Sequence, residues 1–287
     1  MTVLDVIQSG TSFIAKRGVD SPRLQVELLL AHALKLPRLH LYLNFERTLT
    51  GFELQLIRAL LKRRAAREPL QHIVGSTSFC GLEMAVNPNV LIPRPETELL
   101  AERGWSFLNR QPSDAPVTAL DLGTGSGCVA IALAVRSPSA QIEAIDISGP
   151  ALAVARENAM CHRVLDRIHL EQGNGFSALS PGKKFDLIVS NPPYVPSDEI
   201  EKLQPEVRDY DPRLALDGGP EGLDFYQLIA AEAGAFLKPG GRMMVEIGDD
   251  QSVRVGGLFR QHNWVVEAVE RDYTGRERIL IAAVLAR

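Results

Sequence analysis

The chain has 287 residues, 45% of them hydrophobic and 23% charged, with a net charge of −4, which allows a large soluble domain or two modest ones and gives no global basic surface for nucleic acid. Its three cysteines, Cys80, Cys128 and Cys161, form no Cys-x-x-Cys pair, and no two histidines are spaced His-x-x-x-His, so neither a metal site nor a disulfide framework is expected. The opening Met1-Thr2-Val3-Leu4-Asp5 lacks the basic and apolar regions of a signal peptide, and no run of about 18 apolar residues predicts a membrane span, so a cytoplasmic protein is expected.

Residues Thr2 to about Arg67 read as helices. Leu4, Ile7, Phe13 and Ile14 recur at helical spacing. Ser21-Pro22 reads as a capping side chain followed by a proline at the first helical position, leading into Leu24, Val26, Leu28, Leu29, Leu30 and Leu34. Thr50 and Glu53 have the spacing of a capping box, ahead of Leu54, Ile57, Leu60 and Leu61. The basic run Lys62-Arg63-Arg64-Ala65-Ala66-Arg67 is a local candidate for phosphate binding, but it fits better as the solvated, cationic end of a helix. With no strand signal, residues 1–70 are expected to form a small helical domain.

From His72 to Leu91, apolar residues alternate with small or polar ones, predicting a β-hairpin that turns near Cys80-Gly81. Residues 71–92 would join the helical part to the rest. Ile92-Pro93-Arg94-Pro95-Glu96-Thr97-Glu98 then opens a helix with acids in its first turn. Those acids invite a general-base reading, but the helix dipole already accounts for them.

From Val117 onward strands and helices alternate. The strand-like runs are Val117–Leu122, Ile142–Ile147, Ile168–Gln172, Phe185–Ser190, Arg242–Ile247, Trp264–Val269 and Ile279–Leu285. This alternation predicts a mostly parallel sheet covered on both faces. After the first strand, Gly123-Thr124-Gly125-Ser126-Gly127 opens a helix, and its glycines allow a sharp turn and close approach to a ligand. Asp146 ends the next strand, where a carboxylate can take ribose hydroxyls. Together they point to a nucleoside-containing cofactor. The Gly-x-Gly-x-Gly spacing departs from the dinucleotide fingerprint.

Asn191-Pro192-Pro193-Tyr194 follows the apolar run Phe185–Ser190. The Asn191 side-chain carbonyl, and the main-chain carbonyl of Asn191 or Pro192, can accept N–H bonds, and the prolines fix the local backbone. Tyr194 offers a flat face to a planar amide or base. Two such acceptors would favour the pyramidal, nucleophilic form of a planar nitrogen. The alternative is that the prolines simply end a strand. An amide-gripping turn beside a nucleoside site suits S-adenosylmethionine, and methyl transfer needs no metal. The long loop from Val195 to about Gly222 follows, where functional loops tend to lie.

With these residues in view, the chain resembles the release-factor glutamine methyltransferases, the PrmC or HemK family. The resemblance runs over nearly the whole length: the N-terminal helices, Ile92–Glu98, Gly123–Gly127, Asn191–Tyr194, Pro212-Arg213-Leu214-Ala215-Leu216-Asp217-Gly218-Gly219, Gly222-Leu223-Asp224-Phe225-Tyr226 and Glu246-Ile247-Gly248. Asn-Pro-Pro-Tyr is shared with adenine-N6 methyltransferases, so the Ile92–Glu98 run and the helical N-terminus are the more specific parts. The resemblance implies a seven-stranded, Rossmann-like class I methyltransferase domain over residues 93–287, a partner-binding helical domain and a hairpin between them. It implies that Gly123–Gly127, Asp146, Asn174 and Gly175 bind S-adenosylmethionine, with S-adenosylhomocysteine as product. It implies that Asn191, Pro192, Pro193 and Tyr194 hold the acceptor, Asn191 also touching the cofactor, and that Arg94–Thr97 helps close the pocket. The substrate implied is the Gly-Gly-Gln glutamine of class I peptide-chain release factors. One departure is clear: where the family has Asp-Trp, this chain has Asn174-Gly175 before Phe176, which loses an aromatic platform unless Phe176 replaces it rather than packing in the core.

Two other readings remain. Adenine-N6 methylation of DNA or RNA would need a target-reading domain and basic surface, which the acidic balance disfavours, so no stable nucleic-acid binding is expected. A non-enzymatic adaptor would not need the acceptor motif beside an intact glycine loop.

Overall fold

The computed structural model describes residues 1–112 and 116–285. It divides into two units: residues 1–76 with 204–210, and residues 77–203 with 211–287.

The first unit is helical. Its helices are α1 (Val3–Ala15), α2 (Pro22–Leu34), α3 (Arg38–Tyr42), α4 (Gly51–Ala65) and α5 (Leu70–Val74), with the short α9 (Pro205–Arg208) from the later loop. Val3, Ile7, Ile14, Val26, Leu29, Leu30, Leu41, Ile57 and Ile73 make its core. Phe13 and Leu24, expected on the buried faces, are exposed; the buried face of α1 instead runs through Val3, Val6, Ile7, Gly10 and Ile14. Thr50 and Glu53 form the expected capping box, and Thr2 and Asp5 form a second one. Ser21 does not cap α2 with its side chain: it sits at φ 47°, and its main-chain carbonyl accepts from Gln25 N instead. The basic run ends α4 as expected, with Lys62 and Arg63 exposed in its last turn, but one of its cations is not solvated. Arg64 is 3% exposed, and it shares Glu206 with Arg67, at 2.6 Å from Arg64 Nη2 and 2.7 Å from Arg67 Nε.

The second unit opens on a hairpin, β1 (Ser76–Phe79) and β2 (Leu82–Ala85), shorter than the expected 71–92: His72–Val74 belong to α5, and residues 86–91 are loop and turn. Cys80 and Gly81 between them both have positive φ, the requirement of a two-residue turn matched to strand twist. Helix α6 (Pro95–Leu108) follows. The sheet then builds from β3 (Val117–Leu122), β4 (Ala140–Asp146), β5 (Ile168–Gln172), β6 (Phe185–Ser190), β7 (Leu237–Glu246), β8 (Trp264–Arg271) and β9 (Glu277–Val284). Helices α7 (Cys128–Arg136), α8 (Gly149–Cys161), α10 (Asp224–Glu232) and α11 (Ser252–Gln261) connect them. The seven strands run β5-β4-β3-β6-β7-β9-β8, parallel except that β9 is antiparallel to both neighbours. Two apolar layers cover the sheet, one around Leu100, Leu133, Ala144 and Leu187, the other around Leu120, Ile188, Tyr226, Met243 and Phe259. Apolar residues on both faces explain why β3 and β6 read as nearly continuous hydrophobic runs.

The strand order places the site. Starting from β3 the chain lays β4 and β5 on one side, then returns to lay β6 and β7 on the other, so a crevice opens at the carboxyl ends of β3 and β6. The register is as informative: Leu122 pairs with Ile145 and with Ser190, and Ser190 pairs with Val245. The residues one step further along, Gly123, Asp146, Asn191 and Glu246, therefore emerge side by side.

Candidate active site

A cavity of about 300 Å³ lies along this edge, lined among others by Gly123, Gly125, Asp146, Asn174, Gly175, Asn191 and Pro193. Seven residues singled out in the sequence thus meet in one place. Thr124, Ser126, Gly127, Pro192 and Tyr194 do not line it. The walls also include Asn89, Val90 and Leu91, Ile147, Ser148 and Ala151, and Pro212, Leu214, Ala215 and Phe225. Pro212–Asp217 and Phe225 belong to the motifs that carry the family resemblance; Asn89–Leu91, expected in the hairpin, lie in the turn and loop beyond β2.

The glycine turn is pinned from below. Gly123 and Thr124 donate their main-chain N–H groups to Ile145 O at 2.8 and 3.0 Å. Asp146 Oδ2 accepts from Gly125 N at 2.8 Å and Oδ1 from Ser148 N at 2.9 Å. Gly123 and Gly125 have φ of +77° and +54°, and a Cβ on either would meet no protein atom within 4 Å. The turn is therefore held in a glycine-favouring shape, with open space where side chains would project. Thr124 is buried and gives its hydroxyl to Asp121 Oδ2 at 2.7 Å, while Ala130 N donates to the same oxygen at 3.1 Å. Burial pushes the Asp121 carboxyl up to about 6. Asp121 is a turn-stabilising group that sequence reading passed over, because an acid inside a strand carries no spacing signature.

Asn174 lies on the cavity wall, and Gly175 starts a short 3-10 turn at φ +60°, a conformation that suits glycine. Phe176 is buried and stacks on Phe236 at 5.2 Å between ring centroids, so it packs in the core rather than serving as the missing platform.

Asn191 is held from behind. Its Nδ2 donates to Thr97 Oγ1 at 3.0 Å, and Thr97 Oγ1 donates to Glu246 Oε2 at 2.6 Å. Tyr194 turns its hydroxyl to Glu246 Oε1 at 3.4 Å, and its carbonyl accepts from Gln251 Nε2 at 3.0 Å. Burial and the Glu246 charge push the Tyr194 phenol up, so it stays neutral. Burial also lifts Glu246 to about 7, against the Thr97 hydrogen bond and the Arg278 charge.

Arg94 meets Asp211 Oδ2 at 2.6 Å, and the Ile92 backbone also bonds this carboxyl. Asp211 immediately precedes Pro212 on the cavity wall. The Arg94–Thr97 segment thus does not line the cavity itself; it anchors what does, at Asp211 and at Asn191.

A switch-point crevice with a glycine turn, a strand-end acid and an Asn-Pro-Pro-Tyr turn on a sheet ordered in this way defines an α/β methyltransferase. A methyltransferase structure from Pyrococcus furiosus superposes with a TM-score of 0.53 at 19% identity, covering 80% of this chain and 98% of that one, a likeness of fold. Residues 5–75 match the PrmC N-terminal domain model and residues 105–204 the methyltransferase small domain model. The chain is 46% identical to the release factor glutamine methyltransferase of Geobacter sulfurreducens, over 97% of this chain and 95% of the relative. It is 43% identical to that of Chlorobaculum tepidum, over 96% and 95%. The chain belongs to the release factor glutamine methyltransferase family.

Proposed function

We propose that this enzyme transfers the methyl group of S-adenosylmethionine to the side-chain N5 amide of the Gly-Gly-Gln glutamine in class I peptide-chain release factors. The observation that carries the reading is Asn191 itself. It lines the cavity next to the glycine turn, and its own amide N–H is committed to Thr97.

The cavity suits a nucleoside. The turn around Gly123 and Gly125 leaves a cradle free of side chains, and Asp146 keeps lone pairs for ribose hydroxyls beyond those its two backbone donors use. Ile145, Ile147 and Ala151 offer an apolar wall for a base, and Asn174 can both donate to and accept from its edge. When bound, S-adenosylmethionine supplies an electrophilic sulfonium methyl. The chain's own residues then have three tasks. The Asn191 side-chain carbonyl and a main-chain carbonyl of the same turn, that of Asn191 or of Pro192 just behind the cavity wall, accept the two N–H bonds of the glutamine amide, which pulls the nitrogen out of conjugation and aims its lone pair. Pro193 and the Pro212–Ala215 wall keep water from the nitrogen. Tyr194 stiffens the turn through Glu246 and Gln251 rather than by facing the cavity. The nitrogen becomes acidic once it carries the methyl, so no strong protein base is required.

In this reading residues 1–70 form the core of the domain that meets the release factor, 71–92 the connection that contains the Ser76–Ala85 hairpin, and 93–287, apart from 204–210, the catalytic domain; the enzyme works in the cytoplasm, where its substrate acts. No helix among the described residues is long and apolar enough to cross a membrane.

The test is direct. Labelled S-adenosylmethionine is incubated with the enzyme and either a class I release factor or mixed DNA and RNA, and the protein product is mapped by mass spectrometry. One added methyl on the Gly-Gly-Gln glutamine is the expected result. Label found in nucleic acid and not in protein would refute it.

A further inference from the structure

We infer that Thr97 and Glu246 are positioning residues that set the orientation of the Asn191 side-chain amide, and so decide whether its carbonyl faces the acceptor nitrogen. The inference rests on the methyl-transfer reading for what the carbonyl grips; the hydrogen-bond chain stands on its own geometry.

The three groups come from three elements: Thr97 from the first turn of α6, Asn191 from the end of β6, and Glu246 from the end of β7. Thr97 and Glu246 are 2% and 1% exposed. An asparagine amide has a donor end and an acceptor end, and what lies behind it selects between the two orientations. A threonine hydroxyl has one proton. With Glu246 ionised that proton goes to Oε2, so Thr97 Oγ1 presents only lone pairs to Asn191. The Nδ2 end must then face Thr97, which sends Oδ1 to the other side; the flipped amide would set two oxygens against each other. Bonds running in one direction also polarise one another, so the chain is stronger than its parts.

Protonation of Glu246 reverses this logic. A neutral carboxyl can donate to Thr97 Oγ1, releasing the threonine proton toward Asn191 and allowing the amide to turn its nitrogen to the cavity, where it repels an acceptor N–H. The groups facing Glu246 are Arg278 and the Tyr194 hydroxyl, with the Glu96 charge nearby and the Tyr226 hydroxyl bonded at 2.9 Å to the Glu246 main-chain carbonyl. Burial places the Glu246 transition near 7. Neither a glutamine amide nor a sulfonium titrates near neutrality, so a rate change there belongs to the enzyme.

The experiment follows kcat, KM and S-adenosylmethionine Kd across neutral pH for wild type, Thr97→Val, Thr97→Ser and Glu246→Gln, with a class I release factor as acceptor. Thr97→Val is expected to lower kcat about 100-fold with cofactor Kd within about threefold, and Thr97→Ser to recover most of the rate. The wild-type rate should rise with pH through about 7, and Glu246→Gln should abolish that rise. A wild-type rate in Thr97→Val, a Thr97→Ser as slow as the valine variant, or a pH limb that survives Glu246→Gln would overturn the inference. A second readout needs neither acceptor nor the valine variant. The side-chain ¹⁵NH2 resonances of Asn191, assigned by their loss in Asn191→Asp, should shift with a midpoint near 7 in wild type and stay fixed in Glu246→Gln. Resonances that ignore pH in wild type would overturn the relay, whereas absence of methyl on the release factor would overturn only the substrate reading.

Discussion

Asp146 Oδ2 accepts the main-chain N–H of Gly125 at 2.8 Å, so the acid that ends β4 fixes the glycine turn that follows β3. One carboxylate therefore shapes the cradle and is available to the ligand in it. Asp146→Ala should weaken S-adenosylmethionine binding about 10- to 100-fold, the expected loss of one or two hydrogen bonds to a charged group. Calorimetric titration checks it; an unchanged Kd would remove Asp146 from the cofactor site.

Asn191→Ala takes away the side-chain acceptor but leaves the glycine turn untouched. Methyl transfer should drop about 100- to 1,000-fold in kcat, while cofactor Kd stays within about threefold. Single-turnover assays with equilibrium binding separate the two. Equal losses in both would mean that Asn191 serves the cofactor and not the acceptor.

Asp121 gives the chain a measurable pH signature. Its carboxyl, raised by burial from 3.8 to about 6, keeps a proton in the folded chain that the unfolded chain releases. Stability from this group is fully present below about pH 4 and is lost as pH rises through about 6 to above 7. The unfolding free energy of wild type, relative to Asp121→Asn, should therefore fall by on the order of 3 kcal/mol across that window. Urea denaturation at both ends of the window measures it, and parallel pH dependences in the two proteins would contradict the buried-acid account.

In the helical unit, Glu206 holds both Arg64 and Arg67, and Arg64 is almost fully buried. Glu206→Ala leaves a buried cation short of its anion, and should cost about 2 kcal/mol of that unit's stability. Hydrogen exchange in α4 reports it locally. Unchanged protection at Arg64 and its neighbours would show that Gln25 and the Glu68 carbonyl, its other partners, are sufficient.

Local chemistry made much of this legible. Strands β3 and β6 begin and end where their apolar runs do, since a doubly covered strand is apolar almost throughout. The Cys80-Gly81 turn and the Thr50–Glu53 cap were readable because each depends on residues within a few positions. The left-handed backbone that keeps the Ser21 side chain from capping α2 is not announced by Ser-Pro alone. The burial of Arg64 is not visible in its local sequence because its partner, Glu206, lies 142 residues away.

The sequence by itself determined the kinds of groups present: a glycine turn, a strand-end acid, and an asparagine locked between a strand and two prolines. Each is a short-range pattern, dictated by backbone sterics and hydrophobic periodicity. Only the tertiary structure decided which of them meet. The register that aligns Ile145, Leu122, Ser190 and Val245 brings Asp146, Gly123, Asn191 and Glu246 to one edge, and it turns Tyr194 away from the cavity toward Glu246. Register follows from packing and strand order across the whole sheet, and no local stretch of chain encodes it.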